Sequence, residues 1–509
     1  MAEVRRRDFL KVAGTGLGAI AASSFFHDRL LAGTAPESGA AMLETRFGVT
    51  PATARKILEA ALSKGGDFAE LFFEHKIADS VTMEDDRVKE SSEEVSLGVG
   101  VRVLNGMQTG YGFTSDLRPE KMREAALTAA AIASGEARFA ASALEEVKVP
   151  RQVYVLAKPL AEAPLDDKIA LVKAAYGSAL AYDKRVTKVS AGLADELQWV
   201  VIVNSEGLLI SDVRPQVRLM VRATAEEKGV RNTGIGNAGG RVGMDFFKTE
   251  AGSPKAIGAS AAEEAVLLLS AVNAVPGDQP VVLGRDQSGV MVHEAVGHPL
   301  EADGNWKKNS IMWDKMGQMV ASPLVTITDD ATIPAYRGSL NVDDEGTATR
   351  GVTLIEKGRL VGYLHDRLSA RILKAEMNGH ARRDSFRSAP IPRMNNTILG
   401  RGEATPEDIV KSVKKGFYAK SYQGGMVQGT GKFTFSVNLG YLIEDGKLTT
   451  PVKNATLIGT NVQILREVEM VGNDMAFFLG TCGKGGQWQP VTAGTPTVKI
   501  RQMTVGGRA

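Results

Sequence analysis

The residues best suited to chemistry lie in one short segment, His293-Glu294-Ala295-Val296-Gly297-His298, which sets two imidazoles beside a carboxylate. Imidazole nitrogens bind zinc and related ions, and a neighbouring carboxylate can take a proton from a water that such an ion activates. The pattern resembles a His-Glu-x-x-His arrangement with one residue added. At about 100° per residue, side chains four apart on a helix lie about 40° from each other, whereas side chains five apart lie about 140° apart and cannot aim at one ion. The spacing therefore predicts an irregularity at Gly297, a π-bulge or an unwinding, followed by the helix-disturbing Pro299, that swings His298 back toward His293. Ser288 is placed to cap this segment as a helix. The competing reading is two ordinary helix histidines. Against it, two of only six histidines in the chain fall here beside a glutamate, with Glu301 and Asp303 following. A catalytic zinc takes three protein ligands and leaves one position open, so a third ligand is required, and Glu301, Asp303 and Cys482 are the candidates.

Cys482 is the one cysteine, so no disulfide can form within the chain. It sits in Gly480-Thr481-Cys482-Gly483-Lys484-Gly485-Gly486-Gln487, where glycines permit close backbone approach and Lys484 would favour a thiolate. Read alone, Cys482 fits a small buried residue better than a ligand. His75, His365 and His380 lack ligand-like neighbours and read as structural. Arg382-Arg383 and Ser385-Phe386-Arg387 are suited either to binding a peptide carboxylate or to bridging other parts of the fold.

These groups must be positioned by a chain of 509 residues with 43% hydrophobic content, enough for two or three domains. A formal charge of +2, with no long basic block, excludes a phosphate-tracking surface and so a nucleic-acid partner. Fifty-five glycines and 6% aromatic residues point to a strand-rich fold with many tight connections. Arg5-Arg6-Arg7-Asp8-Phe9-Leu10-Lys11, followed by a small-residue apolar run to Ala22, resembles a twin-arginine export signal. It implies an exported, periplasmic protein, membrane-associated if the signal is uncleaved, with residues 1–38 as signal and linker. The spacing then predicts helices over 51–62, 119–134, 166–182 and 256–272, strands over 68–76, 95–104, 197–203, 208–212 and 217–225, and a hairpin at Asn105-Gly106. Turn formers at 276–280 mark a boundary. Beyond it, short apolar runs at 324–327 and 433–437, a hairpin turn at Glu444-Asp445-Gly446 and one helix over 406–416 predict a mainly β region. The fold class expected is α+β. An N-terminal α/β region over 42–275 carries mixed sheets and helices, with room for a subdomain break near 150, and a C-terminal, mainly β domain over 280–509 carries the metal-site helix.

Several motifs in order are similar to those of the TldD/PmbA family of peptidases, in its metal-bearing TldD branch. They are His293 to Asp303, Asp343-Asp344-Glu345-Gly346, Gly362-Tyr363-Leu364 with Asp366-Arg367-Leu368, Arg382-Arg383-Asp384-Ser385, Pro390 to Thr397, Gly440 to Gly446 and Cys482-Gly483-Lys484. Asp67-Phe68-Ala69-Glu70-Leu71 extends the likeness more weakly into the first half. The resemblance implies that His293, His298 and Cys482 are zinc ligands and Glu294 is the catalytic carboxylate, with Glu301 and Asp303 orienting the imidazoles. It also implies a zinc-dependent peptidase acting on unfolded or precursor peptides. The expected partner is a homologous PmbA/TldE-like subunit in a heterodimer, or a second copy in a homodimer. Pro299 and Ala302 stand where glycines are usual in the family, and the export signal departs from its cytoplasmic habit. Gly-rich strands near Gly424-Gly425 and over 429–437 are expected to offer an edge to an extended peptide backbone. Two other readings follow from the same residues: a non-catalytic partner subunit or peptide-binding scaffold, and a zinc hydrolase of non-peptide amides.

Overall fold

In the computed structural model, residues 38–136, 139–156, 158, 160–285 and 287–507 are described, and the twin-arginine-type segment lies outside them. Alternation along the long N-terminal strands sends odd-numbered side chains to one face, since successive residues of a strand point to opposite sides. Ala69, Leu71 and Phe73 of Phe68–Glu84, Val99, Val101 and Val103 of Arg87–Asn105, and Val217, Leu219 and Val221 of Leu208–Glu227 are all buried there. Helices cover that face in two groups. Gly39–Phe47, Pro51–Leu62 and Pro119–Ile132 pack over one end of the sheet, and Leu165–Leu180 with Pro254–Leu269 over the other. The first two helices start at Ser38 and Thr50, whose hydroxyls accept the backbone N–H of Ala41 and Thr53.

The sheet has seven strands, in the order Gln108–Thr114, Arg87–Asn105, Phe68–Glu84, Val186–Asn204, Leu208–Glu227 and Glu145–Glu146, with Val230–Gly240 also on Leu208–Glu227. Phe68–Glu84 pairs with Val186–Asn204, so one sheet joins segments on both sides of residue 150. Several strands are much longer than the sequence suggested, and 208–212 and 217–225 are one strand. Pro215 interrupts the sequence pattern but not the strand: it pairs with Leu197 and lies beyond the last pairing of Val230–Gly240, where its missing N–H leaves no neighbour unsatisfied.

Among the described residues, the C-terminal half is built from two large sheets and a small pairing of Ala381–Arg382 with Ile391–Pro392. In one, Lys415–Val427, Gly277–Leu283, Val498–Gly506, Ala455–Thr460 and Lys432–Glu444 pair in a ring, because Lys415–Val427 also pairs with Lys432–Glu444. The other runs Arg359–Leu360, Gly351–Glu356, Ile327–Asp330, Asn396–Leu399, Gln487–Thr495, Ala476–Lys484. A single apolar core joins them. The turn at Asp445-Gly446 has φ of 48° and 72°, as a two-residue hairpin requires. Two expectations need correction. The helix predicted over 406–416 ends at Lys411, because Lys415 already pairs in the closed ring. The strand predicted at 324–327 begins only at Ile327, where pairing to Ile355 and Leu399 starts. The α+β class expected from the sequence is the class observed.

The face of the N-terminal sheet opposite the helices meets the C-terminal half. Phe72, Val200, Ile202 and Ile210 pack with Val342 and Phe386. Beside them lies a buried ionic cluster in which Glu70 accepts from Arg102 at 2.9 Å and from Arg383, while Arg102 also donates to Glu345. Arg214 bridges Asp212 and Asp344. Removing one member of such a cluster leaves an uncompensated buried charge. Glu70→Ala should therefore destabilise the chain by about 3–5 kcal/mol in urea unfolding, and a loss below about 1 kcal/mol would mean that Glu70 does not hold the halves together.

Candidate metal centre

The segment carrying the two histidines is α-helical over Gly289–Val292, π-helical over His293–Gly297 and 3-10 over His298–Leu300. His298 N–H donates to the carbonyl of His293, a bond spanning five residues instead of four. That widening brings the two side chains together: their ring centroids are 5.0 Å apart and the planes 80° from parallel. The irregularity expected at Gly297 is present, but the glycine serves a different end. Its φ and ψ of −57° and −60° are ordinary helical values. What it supplies is space, since a Cβ there would lie 1.7 Å from Met394 Sδ. Pro299 has no N–H to continue the ladder, and its carbonyl instead accepts from Asn305 Nδ2 at 2.8 Å and Ser310 Oγ at 2.6 Å. Ser288 stands at the helix start without capping it; its hydroxyl lies 3.0 Å from Tyr422 OH.

Cys482 reaches this segment from the strand Ala476–Lys484, with Sγ 3.2 Å from His298 Nε2. The donor atoms of His293, His298 and Cys482 all lie within 4.8 Å of one another. Zinc bonds of about 2.0–2.3 Å suit such a separation after small adjustment, and two imidazoles with a thiolate are donors that zinc accepts. Among the described residues, the buried His293 Nδ1 has no hydrogen-bond partner, as a group beside an ion site can be. Glu294 Oε2 is 3.9 Å from His298 Nε2, next to the donor cluster.

The carboxylates that follow occupy other places. Glu301 Oε2 accepts from His298 Nδ1–H at 2.9 Å, which turns Nε2 toward Cys482 and Glu294. Glu301 is held in turn by Lys484 at 3.1 Å, and Arg393 lies 3.6 Å away. Asp303 pairs with Lys484 Nζ at 2.6 Å. Burial raises the Glu301 carboxyl, but Lys484 and His298 overcome it and hold the group at about 2. His298 is lowered by burial and raised well above its usual value by Glu301 and Cys482. Burial likewise raises the Cys482 thiol, while His293 and His298 bring it down to about 4. The thiolate is thus favoured by the imidazoles; Lys484, which the sequence put in that role, is engaged by Glu301 and Asp303. Glu294 is raised by burial, with His293 and His298 acting the other way.

The donors open on a cavity of about 600 Å³, whose lining includes Val290, Met426, Phe478 and Trp488. The glycine-rich strands expected to form an edge divide in two. Lys432–Glu444 has neighbours on both sides, whereas the distal part of Lys415–Val427, from Tyr422, pairs only with Lys432–Glu444 and lines the cavity with Gly424 to Val427. The paired arginines bridge structure: Arg382 donates to the carbonyls of Met394 and Pro490, and Arg383 to Glu70. Of the remaining histidines, His75 packs on Trp199, His365 faces Ser369 and His380 meets Asp329 at 3.0 Å. Sequence reasoning missed Trp488, Met426 and Phe478 because an apolar residue in a strand carries no chemical signature; the pairing of Trp488 with Gly483 across a Gly485-Gly486 turn was the available clue.

Three family models match the chain in order: PmbA/TldA metallopeptidase domain 1 at residues 69–133, the central domain at 158–269 and the C-terminal domain at 276–507. The Metalloprotease TldD homolog of Haemophilus influenzae is 39% identical over 472 residues, covering 91% of this chain and 98% of the relative. A Metalloprotease of Methanothermobacter thermautotrophicus is 32% identical over 432 residues, covering 84% of this chain and 93% of the relative. Among solved structures, TldE from Thermococcus kodakarensis shares the fold, with a TM-score of 0.70 at 19% identity over 89% of this chain and 100% of that one.

Gly297→Ala tests the spatial account of the π turn. Crowding Met394 should cost about 1–3 kcal/mol in urea unfolding, and Gly297→Ala combined with Met394→Ala should lose less than the sum of the two single changes. Strict additivity would show that the two residues do not press on each other.

Proposed function

The chain belongs to the TldD/PmbA family of metallopeptidases, and on that footing we propose that its ion is zinc, held by His293, His298 and Cys482, with Glu294 as catalytic carboxylate and unfolded or precursor peptides as substrates. The observation that carries this reading is the convergence of three donors within 4.8 Å, from a π turn and a distant strand, beside a carboxylate at the mouth of a cavity. Zinc, when bound, supplies Lewis acidity that lowers the pKa of a water toward about 7 and polarises a carbonyl. Glu301 holds His298 in the tautomer that offers Nε2, and Lys484 holds Glu301. Burial raises the Glu294 carboxyl and so makes its anion a better base. The Glu294 carboxylate takes the proton of the attacking water on one oxygen and returns it to the nitrogen of the leaving amine. An extended peptide is aligned by main-chain hydrogen bonds along the outer side of Gly424 to Val427, which suits unfolded substrates of varied sequence because every peptide presents the same backbone groups.

The assembly we propose is a heterodimer with a homologous PmbA/TldE-like subunit, with a homodimer as the simpler alternative. The twin-arginine-type start supports export to the periplasm. Changing Arg6 and Arg7 to lysine should leave the protein in the cytoplasmic fraction, and unaltered export would remove that reading.

For the catalytic assignment, metal content and hydrolysis of mixed unfolded peptides are measured together, alone and with any co-purifying homologue. The wild type should hold about one zinc. Glu294→Gln should keep the metal and lose about 10²–10⁴-fold in rate. Cys482→Ala should lose the metal. A wild type that binds no metal and cleaves nothing in any pairing would make the chain a scaffold subunit.

A further inference from the structure

The cavity beside the metal centre has an apolar side that the chemistry described so far does not use. Trp488 and Met426, 65% and 63% exposed, both line it. Large apolar side chains standing in water at a concave site mark surfaces that gain free energy when something apolar covers them. The indole is also held in place. Trp488 pairs with Gly483 across the hairpin of Ala476–Lys484 and Gln487–Thr495, and a Cβ on Gly483 would lie 2.8 Å from the indole Cζ3. The ring therefore lies against the bare backbone of Gly483, which follows Cys482 in the strand and presents the opposite face, and a side chain at 483 would push the ring away. Met426 stands on the strand segment whose free side borders the cavity. Val290, one helical turn before Glu294, and Phe478 extend the apolar wall.

Charge on the lining is already matched. Among the described lining residues the ionisable groups other than the metal donors are Glu294, Glu301 and Lys484. Glu301 is engaged by His298 and Lys484, and Lys484 by Asp303 as well. Glu294 is reserved for proton transfer in the reading above. A charged substrate side chain entering here would lose its hydration without finding a partner, whereas an apolar one would displace water from the indole and thioether.

We propose that Trp488 and Met426 form an apolar subsite on the cavity wall that selects substrates carrying a large apolar residue. The inference rests on the peptidase reading and adds the side-chain class. Its test separates binding from cleavage. The full chain carrying Glu294→Gln, loaded with zinc and with any co-purifying subunit present, is titrated calorimetrically with short uncharged peptides that differ only in a central phenylalanine, leucine or glycine. The apolar-centred peptides should bind at least about tenfold more tightly than the glycine peptide. Trp488→Ala should remove most of that ratio without changing metal content, and Trp488→Phe should retain it. Met426→Ala should reduce the ratio by a smaller factor. Equal binding of the three peptides, or a ratio unchanged in both Trp488→Ala and Met426→Ala, overturns the subsite. If the ratio is found and depends on Trp488 while the chain with Glu294 intact cleaves none of the peptides, the subsite stands and the peptidase assignment fails.

Discussion

The hydrogen bond from His298 N–H to the carbonyl of His293 closes a turn one residue wider than that of an α-helix, and the donor geometry depends on it. With four-residue closure, the two imidazoles would point to different sides of the helix, and no arrangement of the Cys482 strand could bring all three donors together. The wider turn is stabilised from outside. Met394 fills the space that a side chain at Gly297 would need, Pro299 ends the ladder, and Asn305 and Ser310 satisfy the carbonyl of Pro299. Pro299 apart, these supports lie outside the helix itself.

The same short stretch that supplies Met394 also fixes the other half of the centre. Arg393 donates to the carbonyl of Cys482 at 2.7 Å and lies beside Glu301, the carboxylate that orients His298. Lys484 reaches both the carbonyl of Pro392 and Asp303. Asn395 N–H donates to Asp329, and Thr492 N–H to the Asn395 carbonyl. Residues 392–395 thus tie the π turn to the strand of Cys482, so that donors separated by 184 positions are set against each other by one rigid segment. Arg382, ten residues before it, continues the tie by donating to the carbonyls of Met394 and Pro490. The motif around Pro390 to Thr397 carries no metal donor and yet is as necessary to the geometry as the histidines.

Helix starts were legible because their causes are local: Thr50-Pro51 opens a helix whose hydroxyl cap accepts an N–H only three residues on, and Asp445-Gly446 is a strong hairpin signal on its own. Strand lengths were not, because the segment from Glu90 to Glu94 is exposed and polar and is held extended by its partner, Ala78 to Thr82. The fate of Pro215 was equally hidden, since it depends on where a neighbouring strand stops. Ser288 has the type of a cap residue, but Tyr422, from a strand far along the chain, takes its hydroxyl. Lys484 has the charge to favour a thiolate, and Glu301 and Asp303 claim it first.

What the sequence determined by itself was the inventory of chemistry and one geometric demand. Two histidines five apart beside a glutamate, followed by a proline, require a distorted helix if they are to share an ion, because the rise and rotation of a helix are the same in every protein. Family likeness could then add Cys482, but no local rule links residue 482 to residue 298. Only the tertiary structure decided how that distance is closed, why Gly297 must lack a side chain, which basic group faces which acid, and that the cavity wall is apolar. Those outcomes depend on steric fit and on competition among charges for partners, and both are set by segments remote in sequence that pack only once the sheets have formed.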